Sequence, residues 1–223
     1  MKACYDRRTS VRSQSASALS LSSIPSDELA PADRRRQQIL AAARRAFTRS
    51  GFHGASMHQV CAEAQMSPGA VYRYFPSKDA IIEAIAEEEQ VAAGACMASL
   101  FGEGDLVERM TRVAMDYLRA ARDPETGGLL VEICSESLRN TTVGARFCEI
   151  QKGVRLALHT ALEQAQAEGE LRQDAEIDVI LTLLFAVGDG LMMRLQIERD
   201  IELDSVEPYL RRMLSALVGK ERP

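Results

Sequence analysis

From residue 33 onwards, apolar side chains recur at separations of three and four, and no stretch alternates with a period of two. Ile39, Leu40, Ala43 and Phe47 stand at i, i+1, i+4 and i+8, which predicts a helix from about Asp33 to Ser50. Asp33 can cap this helix and Gly51 can end it. Ser56 and Gln59 form an S-x-x-Q capping box, opening a second helix with Met57, Val60, Cys61 and Ala64 facing inward. Ser67 as N-cap and Pro68 at the first helical position open a third. It is short, because Phe75 precedes Pro76 and is biased away from helical backbone. Ser77 can cap a fourth helix running past Cys96 towards Leu100.

The pattern continues in the same period. Gly102-Glu103-Gly104 breaks the chain, and Asp105 caps a helix with Leu106, Met110, Val113 and Tyr117 on one face. The run Asp123 to Gly128 reads as a second break, followed by a helix from Leu129 to Arg139. Another runs from Thr142 to about Glu168 and ends at Gly169. Asp174 is the expected cap of the next helix and Ser205 of the last. Only Pro124 of the seven Pro falls between Pro76 and Pro208, so helices are favoured over strands throughout. The expected fold class is all-α. Residues 1–32 hold eight Ser and little apolar surface, and read as a disordered tail. Residues 33–80 form a small head, and residues 81–223 a larger helical body.

Composition narrows the class. A chain of 223 residues, 46% hydrophobic, can bury a sizeable core. Its most apolar stretch, Val179 to Gly188, is too short for a span of roughly 20 residues, and no apolar secretory segment stands at the N-terminus. The expected location is cytoplasmic. The five Cys form no CxxC and read as free thiols, with Cys61 and Cys148 as buried, inert ones. The formal net charge is −5, yet residues 34–78 carry eight Lys and Arg, Arg34 and Arg35 among them, against the single acid Glu63. A compact basic segment on an acidic body suits a polyanion-binding head, although basic helices are often only solvated faces.

The second and third helices are joined by a few residues around Gln65 and Met66, the spacing of a helix–turn–helix. Ser67 to Ala70 are small, so the helix start and its dipole can approach a duplex closely. Tyr72, Arg73 and Tyr74 offer donors and planar faces to bases and phosphates. Ser77 and Lys78 can hold a phosphate at the next helix start. Tyr72 and Tyr74 could instead be core aromatics, but Phe75 already supplies that packing.

The run Ala46-Phe47-Thr48-Arg49-Ser50-Gly51-Phe52-His53-Gly54-Ala55-Ser56-Met57, followed by Ser67-Pro68-Gly69-Ala70-Val71-Tyr72-Arg73-Tyr74-Phe75-Pro76-Ser77-Lys78-Asp79, resembles the N-terminal domain of TetR-family transcriptional regulators. The resemblance covers residue 34 to about residue 90. In the body, Glu163 to Leu171 resembles a segment common before the last two helices. The resemblance implies that His53, Ser56, Tyr74 and Lys78 meet phosphates, and that Ser67, Gly69, Ala70, Tyr72 and Arg73 belong to the recognition helix and its start. Val71 and Phe75 match core positions. Gln65 stands where the family usually has Gly, and a left-handed conformation there costs about 1–2 kcal/mol.

The remaining candidates are fewer. His53, His58 and His159 are too isolated for a metal site, and neither metal nor cofactor is expected. Met97, Met110, Met115, Phe147 and Asp189 are candidates for an effector pocket, with ordinary core as the alternative for the Met residues. Asp189, within Gly188-Asp189-Gly190, suits either an inter-subunit or a ligand contact. No GxSxG, HExxH, GxxxxGK[ST] or GxGxxG is present, and no enzyme activity is expected. The expectation is therefore a repressor that binds a near-palindromic DNA operator as a homodimer through its last two helices and is released by a small apolar effector. A DNA-binding activator, or a helical ligand-binding protein or enzyme with an incidental basic head, are the alternatives.

Overall fold

The computed structural model describes residues 30–219, so the Ser-rich tail read from the sequence lies almost wholly outside the described residues. Among them every regular element is helical: α1 (Pro31–Gly54), α2 (Met57–Glu63), α3 (Pro68–Tyr72), α4 (Lys78–Ala98), α5 (Leu106–Arg122), α6 (Pro124–Ser137), α7 (Thr141–Ala167), α8 (Ile177–Ile197) and α9 (Leu203–Val218). A 3-10 turn, Ser99–Phe101, follows α4.

The local signals explain most boundaries. Pro31 sits at the start of α1, which places Asp33 in the first turn rather than at the cap. At Gly51 (φ +70°) the helical path of α1 is broken, and Phe52 to Gly54 form a fresh turn. The Ser56–Gln59 capping box is formed in both directions, as is a second box between Asp105 and Glu108.

Three expectations fail for identifiable reasons. The break read over Asp123 to Gly128 is confined to Asp123, which lies between α5 and α6 in extended backbone; Asp123 caps α6 by accepting the Thr126 N–H at 2.9 Å and Pro124 already opens the helix. The two Gly serve close packing inside α6. A Cβ on Gly127 would lie 1.9 Å from the Ala121 carbonyl oxygen, and one on Gly128 would lie 2.5 Å from Thr48 Cγ2. Asp174 does not cap α8, whose N-cap is Glu176, but lies 3.5 Å from Arg172 in the preceding turn. Ser205 lies inside α9, where its hydroxyl donates to the Glu202 carbonyl at 2.7 Å. Cys61, Cys96 and Cys134 are free thiols, but Cys148 is not, and Cys4 lies outside the described residues.

Burial is concentrated in two cores. The first holds Ile39, Leu40, Phe47, Phe52, Val60, Val71, Phe75, Ile81 and Ile85, and is closed by Leu129 and Ile133 of α6 and Val143 of α7. The Phe47 and Phe52 rings meet at 4.8 Å between centroids. The second joins Met110, Met115 and Leu118 of α5 to Leu162 of α7, Leu181 and Leu195 of α8, and Leu210 and Leu214 of α9. The head is thus seated on α6 and α7 by a shared apolar core, and α4 runs from that core into the body.

Candidate nucleic-acid interface

The turn between α2 and α3 is built by backbone geometry. Gln65 is the one non-Gly residue with positive φ (+54°) among the described residues. Its N–H donates to the Ala62 carbonyl at 3.1 Å, and the Met66 N–H to the Cys61 carbonyl at 3.0 Å. These are the two bonds of a Schellman ending, which needs a left-handed residue at the Gln65 position. Gln38 of α1 locks the turn by donating to the Ala64 carbonyl at 2.7 Å. Ser67 then caps α3 by accepting the Ala70 N–H at 3.3 Å.

This arrangement presents one side of α3 to solvent and roots the other. Val71 and Phe75 are buried in the head core. Ser67, Gly69, Tyr72, Arg73 and Tyr74 are exposed and Ala70 is half-buried. Tyr72 is 49% and Tyr74 36% exposed, a large apolar area for a head so thoroughly packed elsewhere. Ser56, His53, Arg34 and Arg35 are exposed as well. The Ser56 hydroxyl is the α2 cap and accepts the Gln59 N–H at 3.3 Å.

The charge of the segment is distributed less simply than its count implies. Arg45 and Arg49 each reach Glu63 at 2.7 Å, and their hydrogen bonds, Arg45 first, hold the Glu63 carboxyl below the usual carboxylate range. Arg44 is paired with Glu88 at 3.0 Å and with Glu89 of α4. Arg36 lies over the Phe75 ring and 3.7 Å from Glu88. Lys78 donates from Nζ to the carbonyls of Phe52 and Ala55, leaving one ammonium hydrogen unassigned. His53 Nε2 lies 2.8 Å from Glu136 of α6. Arg34 and Arg73 form no ion pair among the described residues, and Arg35 bonds only Gln38, at 2.8 Å. The positive charge not matched by a carboxylate therefore sits at the start of α1, at the end of α3 and on Lys78 at the start of α4, whose partners are neutral carbonyls.

Two family models match the chain in sequence order. That of bacterial regulatory proteins of the tetR family matches residues 39–85, and that of tetracyclin repressor-like C-terminal domains matches residues 100–216. The chain belongs to the TetR family. It is similar to the transcriptional regulator UidR of Escherichia coli K12, 29% identical over 183 residues, covering 82% of this chain and 92% of UidR. It is similar to the transcriptional repressor AcnR of Corynebacterium diphtheriae at 31% identity, covering 79% of this chain and 92% of AcnR. The structure of Salmonella enterica GusR superposes with a TM-score of 0.73 at 31% identity, covering 86% of this chain and 98% of GusR. This TetR-family chain is a DNA-binding transcriptional regulator, with an N-terminal helix–turn–helix head and a helical body.

In the body of this TetR-family member, a groove of about 340 Å³ opens between α4 and α7. Gln90, Gly94, Met97 and Phe101 line one side, and Ile150, Gly153 and Val154 the other. Of the five residues expected to line an effector pocket, only Met97 lines this groove. Met110 and Met115 are 4% and 1% exposed in the body core, where the α5 stripe turns them inward. Phe147 packs against the first core. Asp189 lies on α8, outside the groove, where partial burial raises its carboxyl above the ordinary range. Burial and the nearby Asp189 push the Cys134 thiol up to about 12, which leaves it protonated and unreactive at neutral pH. The groove's own residues carry one readable signal, the small residues Ala93, Gly94 and Ala98 on α4 and Gly153 on α7. No helix of the described residues is long and apolar enough to cross a membrane.

Proposed function

We propose that this chain is a repressor that binds a near-palindromic operator as a two-fold dimer and leaves it when a small apolar molecule occupies the groove between α4 and α7. The observation that carries the reading is the face of α3: Tyr72, Arg73 and Tyr74 exposed beside a capped helix start of small residues, on a helix fixed by Val71 and Phe75. Tyr72, Arg73, Ser67, Gly69 and Ala70 meet base edges and nearby backbone in the major groove, and Tyr74, Ser56, His53, Lys78, Arg34 and Arg35 meet phosphates. One such helix reads few base pairs, so two heads act together, with recognition helices about 34–36 Å apart.

The second copy docks on α8 and α9. Val179, Leu183, Met193 and Ile197 form an exposed apolar stripe along α8, and Tyr209 of α9 is 71% exposed. Such a stripe on a soluble regulator is the surface of a four-helix bundle between protomers. A regulator of this kind works in the cytoplasm, where its DNA is.

The groove supports release by an uncharged ligand, since Gln90 is its one polar side chain. α4 links groove and head, because Ile81 and Ile85 lie in the head core and Met97 lines the groove. A molecule wedged against α7 displaces α4 and with it the head. Mobility shifts of the chain on its selected duplex test this, with N-phenyl-1-naphthylamine as an uncharged apolar probe. The probe is expected to weaken the complex of the wild-type chain and not that of Gly153→Leu, whose side chain fills the groove. Equal response of the two proteins places the ligand elsewhere.

A further inference from the structure

Helix α6 lies between the head and the rest of the body, and its contacts on the two sides differ in kind. Towards the body, Gly127 packs so closely on α8 that a Cβ would lie 2.2 Å from Gln196 Nε2. Towards the head, Gly128 meets Thr48, and Leu129 and Ile133 enter the head core. Two carboxylates spaced one turn apart, Glu132 and Glu136, then address the last residues of α1. Glu132 Oε1 accepts the Phe52 N–H at 2.8 Å, the first free donor after the break at Gly51. Glu136 is 1% exposed and lies 2.8 Å from His53 Nε2 and 3.7 Å from Arg139. Neither of its oxygens has a well-formed hydrogen bond. A carboxylate so buried is retained against a desolvation penalty that a leucine at the same place would not incur.

Burial of Leu129 and Ile133 holds the head onto α6, but apolar burial has no preferred direction and permits sliding. Hydrogen bonds and close ion pairs do have one. We propose that Glu132 and Glu136 are positioning residues that fix the angle between head and body, and so the separation of the two recognition helices in the dimer. This rests on the reading of the chain as a dimer on a two-fold operator. On that reading, α6 passes the disposition of α8, where the protomers meet, to α1 of the head. Loss of either carboxylate leaves each head able to bind DNA and misplaces one head relative to the other.

The test uses the full chain and a duplex that the wild-type protein selects from a randomised library, with an unselected duplex of equal length as comparison. Glu132→Ala is expected to lose roughly ten-fold in affinity for the selected duplex and less than about two-fold for the unselected one at low salt. Glu132→Gln, whose amide oxygen can accept the same N–H, is expected to restore most of the selected-duplex affinity. Glu136→Leu, which removes the acceptor while keeping the site filled, is expected to show the selective loss again, and provides a second variant should Glu132→Ala not fold. A merely structural role would lower both affinities in step with the folded fraction measured by thermal unfolding. Parallel losses on the two duplexes, or no loss in folded variants, overturn the proposal while the wild-type chain still selects its duplex. Selection of no duplex by the wild-type chain overturns the dimer-on-operator reading as well.

Discussion

The Lys78 ammonium donates to the carbonyl of Ala55 at 3.1 Å, and so ties the first residue of α4 to the corner between α1 and α2. Its bond to Phe52 completes the tie. Lys78 thus holds the corner that orients His53 and Ser56 while one donor remains for a phosphate. Lys78→Ala is expected to destabilise the chain by about 1–3 kcal/mol, since two buried carbonyls lose a charged donor. It is also expected to weaken all DNA sequences alike and to shallow the salt dependence by about one charge. Thermal unfolding and mobility shifts over a salt series check both parts, and a sequence-selective loss would place Lys78 at a base edge.

Tyr72 is half exposed on α3 while Val71 beside it is fully buried. Tyr72→Ala is expected to leave the melting temperature unchanged and to weaken binding to the selected duplex by about 1–3 kcal/mol. Unchanged affinity in a mobility-shift assay contradicts its place in recognition.

Gln65 holds φ at +54° in the helix–turn–helix corner. Relief of left-handed strain of about 1–2 kcal/mol is partly offset by the greater backbone freedom of Gly when unfolded. Gln65→Gly is therefore expected to stabilise the chain by about 0.5–1 kcal/mol, read from denaturant unfolding. A destabilised variant would mean that the Gln65 side chain contributes packing that outweighs the strain.

The hydrogen bonds of Arg45 and then Arg49 lower the Glu63 carboxyl relative to its ordinary value. A carboxyl whose folded value is lowered contributes stability that is fully present above the unfolded value and is lost as pH falls through the folded one. The difference in melting temperature between the wild-type chain and Glu63→Gln is expected to be largest near neutral pH and to shrink as pH falls through the acid range. A difference independent of pH shows that Glu63 acts by shape rather than charge.

Features fixed by neighbours in sequence were legible before the fold was known. The Ser56–Gln59 box, the Ser67 cap and the breaks at Gly51 and Gly169 depend on three or four successive residues, and each stands where the sequence placed it. The buried Val71 and Phe75, and with them the exposed side of α3, match what the resemblance to TetR-family heads implied. Gly127 and Gly128 misled because their small size answers to Gln196 and Thr48, which are remote in sequence. The charge count over 34–78 overstated the free cations for the same reason, since Arg44 meets Glu88 and Glu89 on another helix. The groove escaped notice because it depends on which faces of α4 and α7 oppose one another, and side-chain type alone drew attention to Met110 and Met115 instead. Glu132 and Glu136 carry no signal in the sequence, because their partners are set only by α1 lying against α6.

Sequencing of duplexes retained by the full chain from a randomised library, at modest ionic strength and without added ligand, addresses the central claim most directly. Enrichment of a two-fold symmetric sequence with half-sites about one helical turn apart, lost in Tyr72→Ala, is the expected result. Retention of no sequence above the input would contradict the assignment of α3 as a recognition helix and of the chain as an operator-binding repressor.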